Sequence, residues 1–346
     1  MTRDDGHLRR RPTINDVARH ANVSKSLVSL VLQGSPRVAE ASRRAILDAM
    51  TTLGYQPNRL ARGLVARRSG IVGVIASDLH NPFFADVIDA VLGVMDEAGK
   101  QVLLGTGRRE ADQERRLLES LAGVPVDGVL LLSPEVEAFV LETLSARVPM
   151  VVTGRSDVST SGIATVVADN VAGAGLAVDH LTGLTHRRIA HITGGRGPAS
   201  PERERGFRQA MTAAGLEHDM VIVPGDFTDD GGYQAMRGLL RRKPRPTAVF
   251  AANDFAALGA LDAIEEAGLT VPDDISLIGH DNSSIASSRH VSLTSIDQPH
   301  SEMGSLAAKS LNERISGMDE PVRHDVLTPR LVARRTTAAP PPSARV

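Results

Sequence analysis

Cysteine and tryptophan are both absent from this 346-residue chain. Without cysteine there is no disulfide, no thiolate metal site and no cysteine nucleophile, and a reducing compartment fits. No run approaches the roughly 18 apolar residues that a membrane span requires. The opening MTRDDGHLRRRP carries charge but none of the apolar stretch of a secretory signal. We therefore expect a cytoplasmic protein with no membrane partner. Lysine is nearly missing, 4 residues against 35 Arg, so an individual arginine says little. Signatures of catalysis are missing as well: there is no GKS/T loop, G-x-S-x-G elbow, HExxH or triple-glycine dinucleotide fingerprint. The eleven His show no metal-ligand spacing, and His186 and His191 read as structural or solvent-facing. We assign no catalytic residue, no cofactor and no metal, and expect no enzyme.

What is present is an ordinary globular balance, 42% apolar and 23% charged, on a chain longer than the roughly 150 residues of one domain. At least two folding units are expected. The net charge of -2 conceals an asymmetry: residues 1–69 hold 13 Lys plus Arg against 5 Asp plus Glu, and the remainder holds 26 against 36. A basic head on an acidic body suits a polyanion at the N-terminus, because neutralising phosphates releases counterions. Charge alone equally allows a solvated segment.

Three short helical patterns fill Thr13 to Leu53. TINDVARHA begins with Thr13 three residues before Asp16, a capping-box-like start, with Ile14, Val17 and Ala18 on one face. NVS breaks it, and Ser24 is placed to cap a helix from Lys25 to Leu32 that Gly34 and Pro36 end. The third pattern puts Ala41, Ala45, Leu47, Ala49 and Met50 on its apolar side and stops at Gly54. On the middle helix Leu27, Val28, Val31 and Leu32 form the buried side. Lys25, Ser26, Ser29 and Gln33 share the other side, and Leu30 falls there too. In a major groove the leucine packs on a thymine methyl, while serine and lysine reach base edges or phosphates. A plain surface helix explains the same wheel.

From Ile71 the texture changes. IVGVIAS, QVLLGT, DGVLLLS, PMVVTG, RRIAHITG, TAVFAAND and ISLIGHDN read as strands buried on both faces, alternating with amphipathic stretches. This is a doubly wound parallel α/β pattern, and two sheets rather than one large one are expected. LTSIDQP and TPRLVARR look like late strands, and TTAAPPPSARV like a disordered tail.

The sequence TINDVARHANVSKSLVSLVLQG, then GYQPNRLARGL, DNVAGAGLAVDHLTGLTHRRIAHITGG, RERGF, VFAAND, ISLIGHDN, TSIDQP and PRLVARRTT, in that order, resembles the LacI/GalR family of bacterial transcriptional repressors from Thr13 to Thr337. The resemblance implies an all-α helix-turn-helix head followed by a two-lobed, periplasmic-binding-protein-like effector domain of α/β type. It implies a homodimer on a pseudo-palindromic operator, most readily as a repressor, controlled by a small molecule, a sugar or related metabolite, held between the lobes. The implied boundaries are an arm at 1–11, the head at 12–56, a hinge helix at 57–69, the effector domain at 70–337 and a tail at 338–346. No leucine-heptad tail follows Thr337, so a tetramer built on one is not expected.

DNA contacts implied by position are Thr13, Lys25, Ser26, Ser29, Leu30 and Gln33 in the head, and Asn58, Arg59, Ala61 and Leu64 in the hinge. Leu64 corresponds to the family's minor-groove wedge. A lone helix of that length is unstable in water, and Gly63 weakens it by roughly 1 kcal/mol relative to Ala. The family more often has Thr where this chain has Leu27 and Arg where it has Leu30, which bears on the operator's bases.

Effector contacts implied by position are Ser77, Phe83 and Phe84 after the first strand, Ser133 after the third, and Arg155 near the cleft rim. In the second half they are Arg203, Asn253, Asp281 and Gln298. Of the two adjacent phenylalanines, one is expected to be core. Asp, Arg and an amide together suit a polyol, with paired acceptors, a forked donor and a group able to do both. By themselves, Arg203 also reads as a surface arginine, Asn253 as a helix N-cap and Asp281 as a turn residue. Where one family member has a sugar-contacting aspartate, this chain has Gly154.

Overall fold

A computed structural model of the chain describes residues 12–32, 35–55, 68–158, 162–317 and 321–341. Gln33, the N-terminal arm and the hinge positions Asn58, Arg59, Ala61 and Leu64 lie outside the described residues. The fold divides into two compact units, Met1–Ser69 and Gly70–Val346.

The first unit holds α1 (Ile14–His20), α2 (Lys25–Leu32) and α3 (Glu40–Leu53). The Thr13 amide and hydroxyl both donate to Asp16 Oδ2, at 2.8 and 2.7 Å, which fixes the start of α1. Ser24 Oγ accepts from Leu27 N at 3.2 Å at the start of α2. Gly54, at φ 63°, turns the chain out of α3 so that Tyr55 N reaches Met50 O at 2.9 Å, a left-handed cap that glycine adopts without a Cβ penalty. The small core is Val17, Val28 and Ile46, fully buried, with Ala18, Val31, Val38 and Ala49 around them. One expectation fails here. On α3, Ile46 with Ala49, Met50 and Leu53 forms the inward stripe, while Leu47, one residue and about 100° further round, is 47% exposed, and Ala41 and Ala45 are exposed too.

Twelve strands among the described residues of the second unit form two six-stranded sheets. The first lobe takes β1 (Ile71–Ala76), α4 (Pro82–Glu97), β2 (Gln101–Thr106), α5 (Ala111–Ala122), β3 (Gly128–Leu132), α6 (Ala138–Ser145), β4 (Met150–Thr153) and β5 (Ile163–Ala168). The second takes α7 (Asn170–Gly183), β6 (Ile189–Ile192), α8 (Ser200–Ala213), β7 (Met220–Val223), α9 (Asp229–Leu240), β8 (Ala248–Ala251), α10 (Asp254–Glu266), β9 (Ser276–Asp281), α11 (Ser284–Ser287) and β10 (Thr294–Asp297). The chain then returns to the first lobe with α12 (His300–Ser316) and β11 (His324–Leu327), and ends in the second with β12 (Arg330–Val332). Strand order is β11-β5-β4-β3-β1-β2 in one sheet and β12-β10-β9-β8-β6-β7 in the other. All pairings are parallel except β10 with β12.

The lobes are therefore joined by three passages of chain, after β5, after β10 and after β11. Asp169 N donates to Leu327 O at 3.0 Å, tying the first passage to the third. The central strands of each sheet are buried between helices, as a parallel sheet requires, but β2, expected to be buried on both faces, is an edge strand with Leu103 43% and Leu104 45% exposed. In the first lobe Val72, Val74, Leu130 and Val151 meet Val87, Val91, Met303 and Leu311 of α4 and α12. The tail begins later than its composition suggests. Ala338 N donates to Ser276 Oγ at 3.0 Å, and Ala338 O lies 2.8 Å from His186 Nε2, because these buried polar groups need partners.

Candidate functional site

The C-terminal ends of the parallel strands of both lobes converge on a cleft, where α/β sheets place ligands. Ser77 and Asp78 follow β1, Ser133 follows β3, Asn253 follows β8, Asp281 ends β9 and Gln298 follows β10. Asn81 caps α4 by accepting from Phe83 N at 3.1 Å, and this sets Phe83 and Phe84 edge to face at the cleft wall, with centroids 5.4 Å apart and planes at 73°. Both rings are nearly buried, at 6% and 7%, and both line the cleft, so the expectation that they divide into one core and one site residue is not met.

At the centre Arg203 faces Asp281, Nη2 to Oδ1 at 3.7 Å, with both side chains at most 5% exposed. Arg203 Nε donates to Asn170 Oδ1 at 2.9 Å, Nη1 donates to the Ala252 carbonyl, and the guanidinium stacks 5.4 Å over the Phe227 ring. Gln298 Nε2 donates to Asp281 Oδ1 at 2.6 Å. Burial raises the Asp281 carboxyl above its usual range, while Arg203, Gln298 and Asn81 oppose the rise. Burial and the neighbouring Asp281 also raise Asp254, whose carboxylate accepts from Ser283 N at 2.8 Å, Ser283 Oγ at 2.9 Å and Ser295 Oγ at 2.6 Å. Asn253 does both things its sequence allowed. Its Oδ1 caps α10 at Ala256 N, 2.8 Å away, and its Nδ2 donates to Phe227 O at 3.1 Å from the cleft wall.

Arg155 is the exception among the expected effector residues. It does not line the cleft; its side chain, 12% exposed, pairs with Asp157 at 2.5 Å and donates to the carbonyls of Pro134, at 3.1 Å, and Val136. It holds the loop after β3. From the other side Glu114, fully buried, accepts the amides of Glu135 at 2.6 Å and Val136 at 3.0 Å. Burial pushes Glu114 up to about 7. Ser133, at φ 52°, packs over Gly154, at φ 69°, where any Cβ would collide with Ser133 Oγ. Only glycine fits that strand end.

Sequence reasoning missed Asn81, Arg109, Glu135, Asn170 and Phe227 as cleft residues. Arg109 donates across the cleft to the Asp226 carbonyl of the second lobe. Phe227 had a signal: Gly194 and Gly197 are spaced where a Cβ would strike its ring.

In the first unit Lys25 and Ser26 are exposed, Ser29 is half-buried and Leu30 is 37% exposed, opposite the buried Val28 and Val31. One face of α2 thus carries the expected reading residues. Thr13 spends its hydroxyl hydrogen on Asp16.

Residues 13–58 match the model of bacterial regulatory proteins of the lacI family, and residues 178–337 match a periplasmic binding protein-like domain. The HTH-type transcriptional regulator CelR of Thermobifida fusca is 41% identical over 338 residues, covering 95% of this chain and 99% of the relative. The chain belongs to the LacI family of bacterial regulatory proteins. As a LacI-family member it is a DNA-binding transcriptional regulator. Among solved LacI-family structures, a transcriptional regulator CelR–cellobiose complex superposes with a TM-score of 0.70 at 37% identity, covering 94% of this chain and 100% of that one. A lac repressor dimer bound to operator and the anti-inducer ONPF gives a TM-score of 0.85 at 28% identity, covering 95% and 100%.

Proposed function

We propose that two copies of this chain bind a pseudo-palindromic operator as a repressor, and that a sugar or related metabolite captured between the lobes sets the affinity for DNA. The observation that carries this reading is the buried Arg203–Asp281 pair at the converging strand ends, walled by Phe83, Phe84 and Phe227. It offers a forked cation and a carboxylate to hydroxyls, and apolar faces to a sugar ring. The CelR–cellobiose complex and the operator-bound lac repressor dimer support the same assignment. In the head, α2 lies in the major groove with Lys25, Ser26, Ser29 and Leu30 toward the bases, and Leu64 of the hinge enters the minor groove. Effector control is a linkage: a ligand that favours one arrangement of the dimer by a few kcal/mol changes operator occupancy, and one that binds both arrangements equally does nothing. The chain carries out no catalysis. No described helix is long and apolar enough to cross a membrane, and a cytoplasmic site of action follows from the DNA partner.

Binding of a labelled palindromic duplex, titrated with sugars and with salt, tests the proposal. Specific, salt-sensitive binding released or strengthened by one sugar is expected; weak retention indifferent to sequence and sugar refutes it. In the same assay Leu64→Ala is expected to lose about 2 kcal/mol of specific operator affinity, roughly thirtyfold, with sugar binding by calorimetry retained. Wild-type operator affinity in that variant removes the wedge from the mechanism.

A further inference from the structure

Carboxylates outnumber guanidinium groups in the cleft: Asp78, Glu135 and Asp281 line it together with Arg109 and Arg203. Both guanidinium groups already have partners in the protein. Arg203 is held by Asn170, Ala252 and Asp281, and Arg109 reaches the Asp226 carbonyl. The Glu135 carboxylate differs: it is half-buried, lines the cleft and accepts no hydrogen bond from a described residue, with Arg109 and Arg155 as its nearby countercharges.

The backbone that carries it is held from two sides. The buried Glu114 carboxylate takes the amides of residues 135 and 136, and Arg155 takes the carbonyls of residues 134 and 136. Two charged side chains are thus committed to holding three consecutive residues of one loop. A solvated surface glutamate needs no such support for its loop, whereas a recognition group gains from a loop that is held in place.

We propose that Glu135 is a specificity-determining residue of the cleft, accepting hydroxyl hydrogens of an uncharged polyol and turning away phosphorylated or carboxylate-bearing analogues. This rests on the reading of the cleft as a sugar site. An anion placed there meets the Glu135 carboxylate on a loop held from two sides, while the Arg203 charge is already balanced by Asp281, so it gains little and is repelled at close range. A neutral sugar presents hydrogens to the same oxygens and leaves the existing pairs intact.

The test is calorimetry on the full chain with glucose, cellobiose, maltose and the 6-phosphate ester of each. For the sugar that binds, the ester is expected to bind at least about thirtyfold more weakly. In Glu135→Gln that ratio is expected to shrink to within about fivefold, and in Glu135→Lys to invert in favour of the ester. Thermal unfolding of both variants identifies any that misfold, and either variant alone suffices. If the ester binds wild type as tightly as its parent sugar, or the ratio is the same in the folded variants, Glu135 does not set specificity while the sugar reading stands. If no sugar that alters operator binding can be found and none of the six compounds binds, the sugar reading fails and this inference falls with it.

Discussion

Asp281→Asn is expected to weaken effector binding by roughly fiftyfold, because hydrogen bonds to a charged acceptor contribute about 1.5–3 kcal/mol. The substitution keeps the shape, and asparagine tolerates positive backbone φ better than most residues, which matters at a position with φ 113°. What changes is charge. Arg203 keeps Asn170 Oδ1 and the Ala252 carbonyl as acceptors, both neutral, and loses its nearest countercharge, with Asp254 and Glu202 remaining. Breaking a buried ion pair costs about 3–5 kcal/mol when nothing compensates. Here two changes compensate: the burial that strains the Asp281 carboxylate is relieved, and so is its repulsion with Asp254. Fold stability is therefore expected to drop by only about 1–2 kcal/mol. Calorimetry with a sugar that binds wild type, beside denaturant unfolding, separates the two losses. Unchanged affinity would place Asp281 outside the binding contacts.

The second large effect is on acid stability. In the second lobe the His191 ring stacks on Phe250, centroids 4.8 Å apart, with Nδ1 3.0 Å from Phe250 O, and His280 lies on the other side of Phe250 with centroids 6.2 Å apart. Neither His280 nitrogen has a partner among the described residues. Burial holds His280 well below the usual imidazole range, helped by the charges of Arg203 and His191, and burial brings His191 down to about 4. Because the folded chain refuses protons that the unfolded chain accepts below pH 6.5, stability falls as pH drops through this window. For His191 the loss is complete near pH 4 and amounts to about 3 kcal/mol.

Glu114 acts in the opposite sense. Raised to about 7, it contributes stability that is full below pH 4.5 and lost as pH rises through about 7. A single stability curve therefore mixes the two. His280→Leu isolates one side of the balance, since it removes an imidazole that makes no hydrogen bond and keeps an apolar side chain in its place. Relative to wild type the variant is expected to gain more stability at pH 5.0 than at pH 7.5, because the unfolded wild-type chain takes up a proton below pH 6.5 that the buried His280 refuses. Equal differences at the two pH values would show that His280 does not resist protonation in the fold.

Much of the architecture was legible because its signals are local. Apolar runs such as IVGVIA and GVLLL mark strands buried on both faces, and Thr13, Ser24 and Gly54 mark helix ends. Three strands escaped. The first, β5, is as apolar as its neighbours but follows β4 with no helix between them, against the expected alternation. The others, β7 and β11, are four-residue edge strands, only half-buried or largely exposed, where the apolar pattern fades. Positions at strand ends, such as Asp281 and Gln298, could be carried over from the family pattern. Arg109, Glu135, Asn170 and Phe227 could not, because their loops come together only when the two lobes fold. Arg155 was misjudged for a related reason: its backbone sits beside the cleft, but the free carbonyls of the β3–α6 loop draw its guanidinium away.

The last two strands, β11 and β12, each complete the outer edge of a different sheet. A chain emerging from the ribosome consequently cannot finish either half of its receptor until these strands have been made. Nascent molecules should stay blind to metabolite until both have left the exit tunnel.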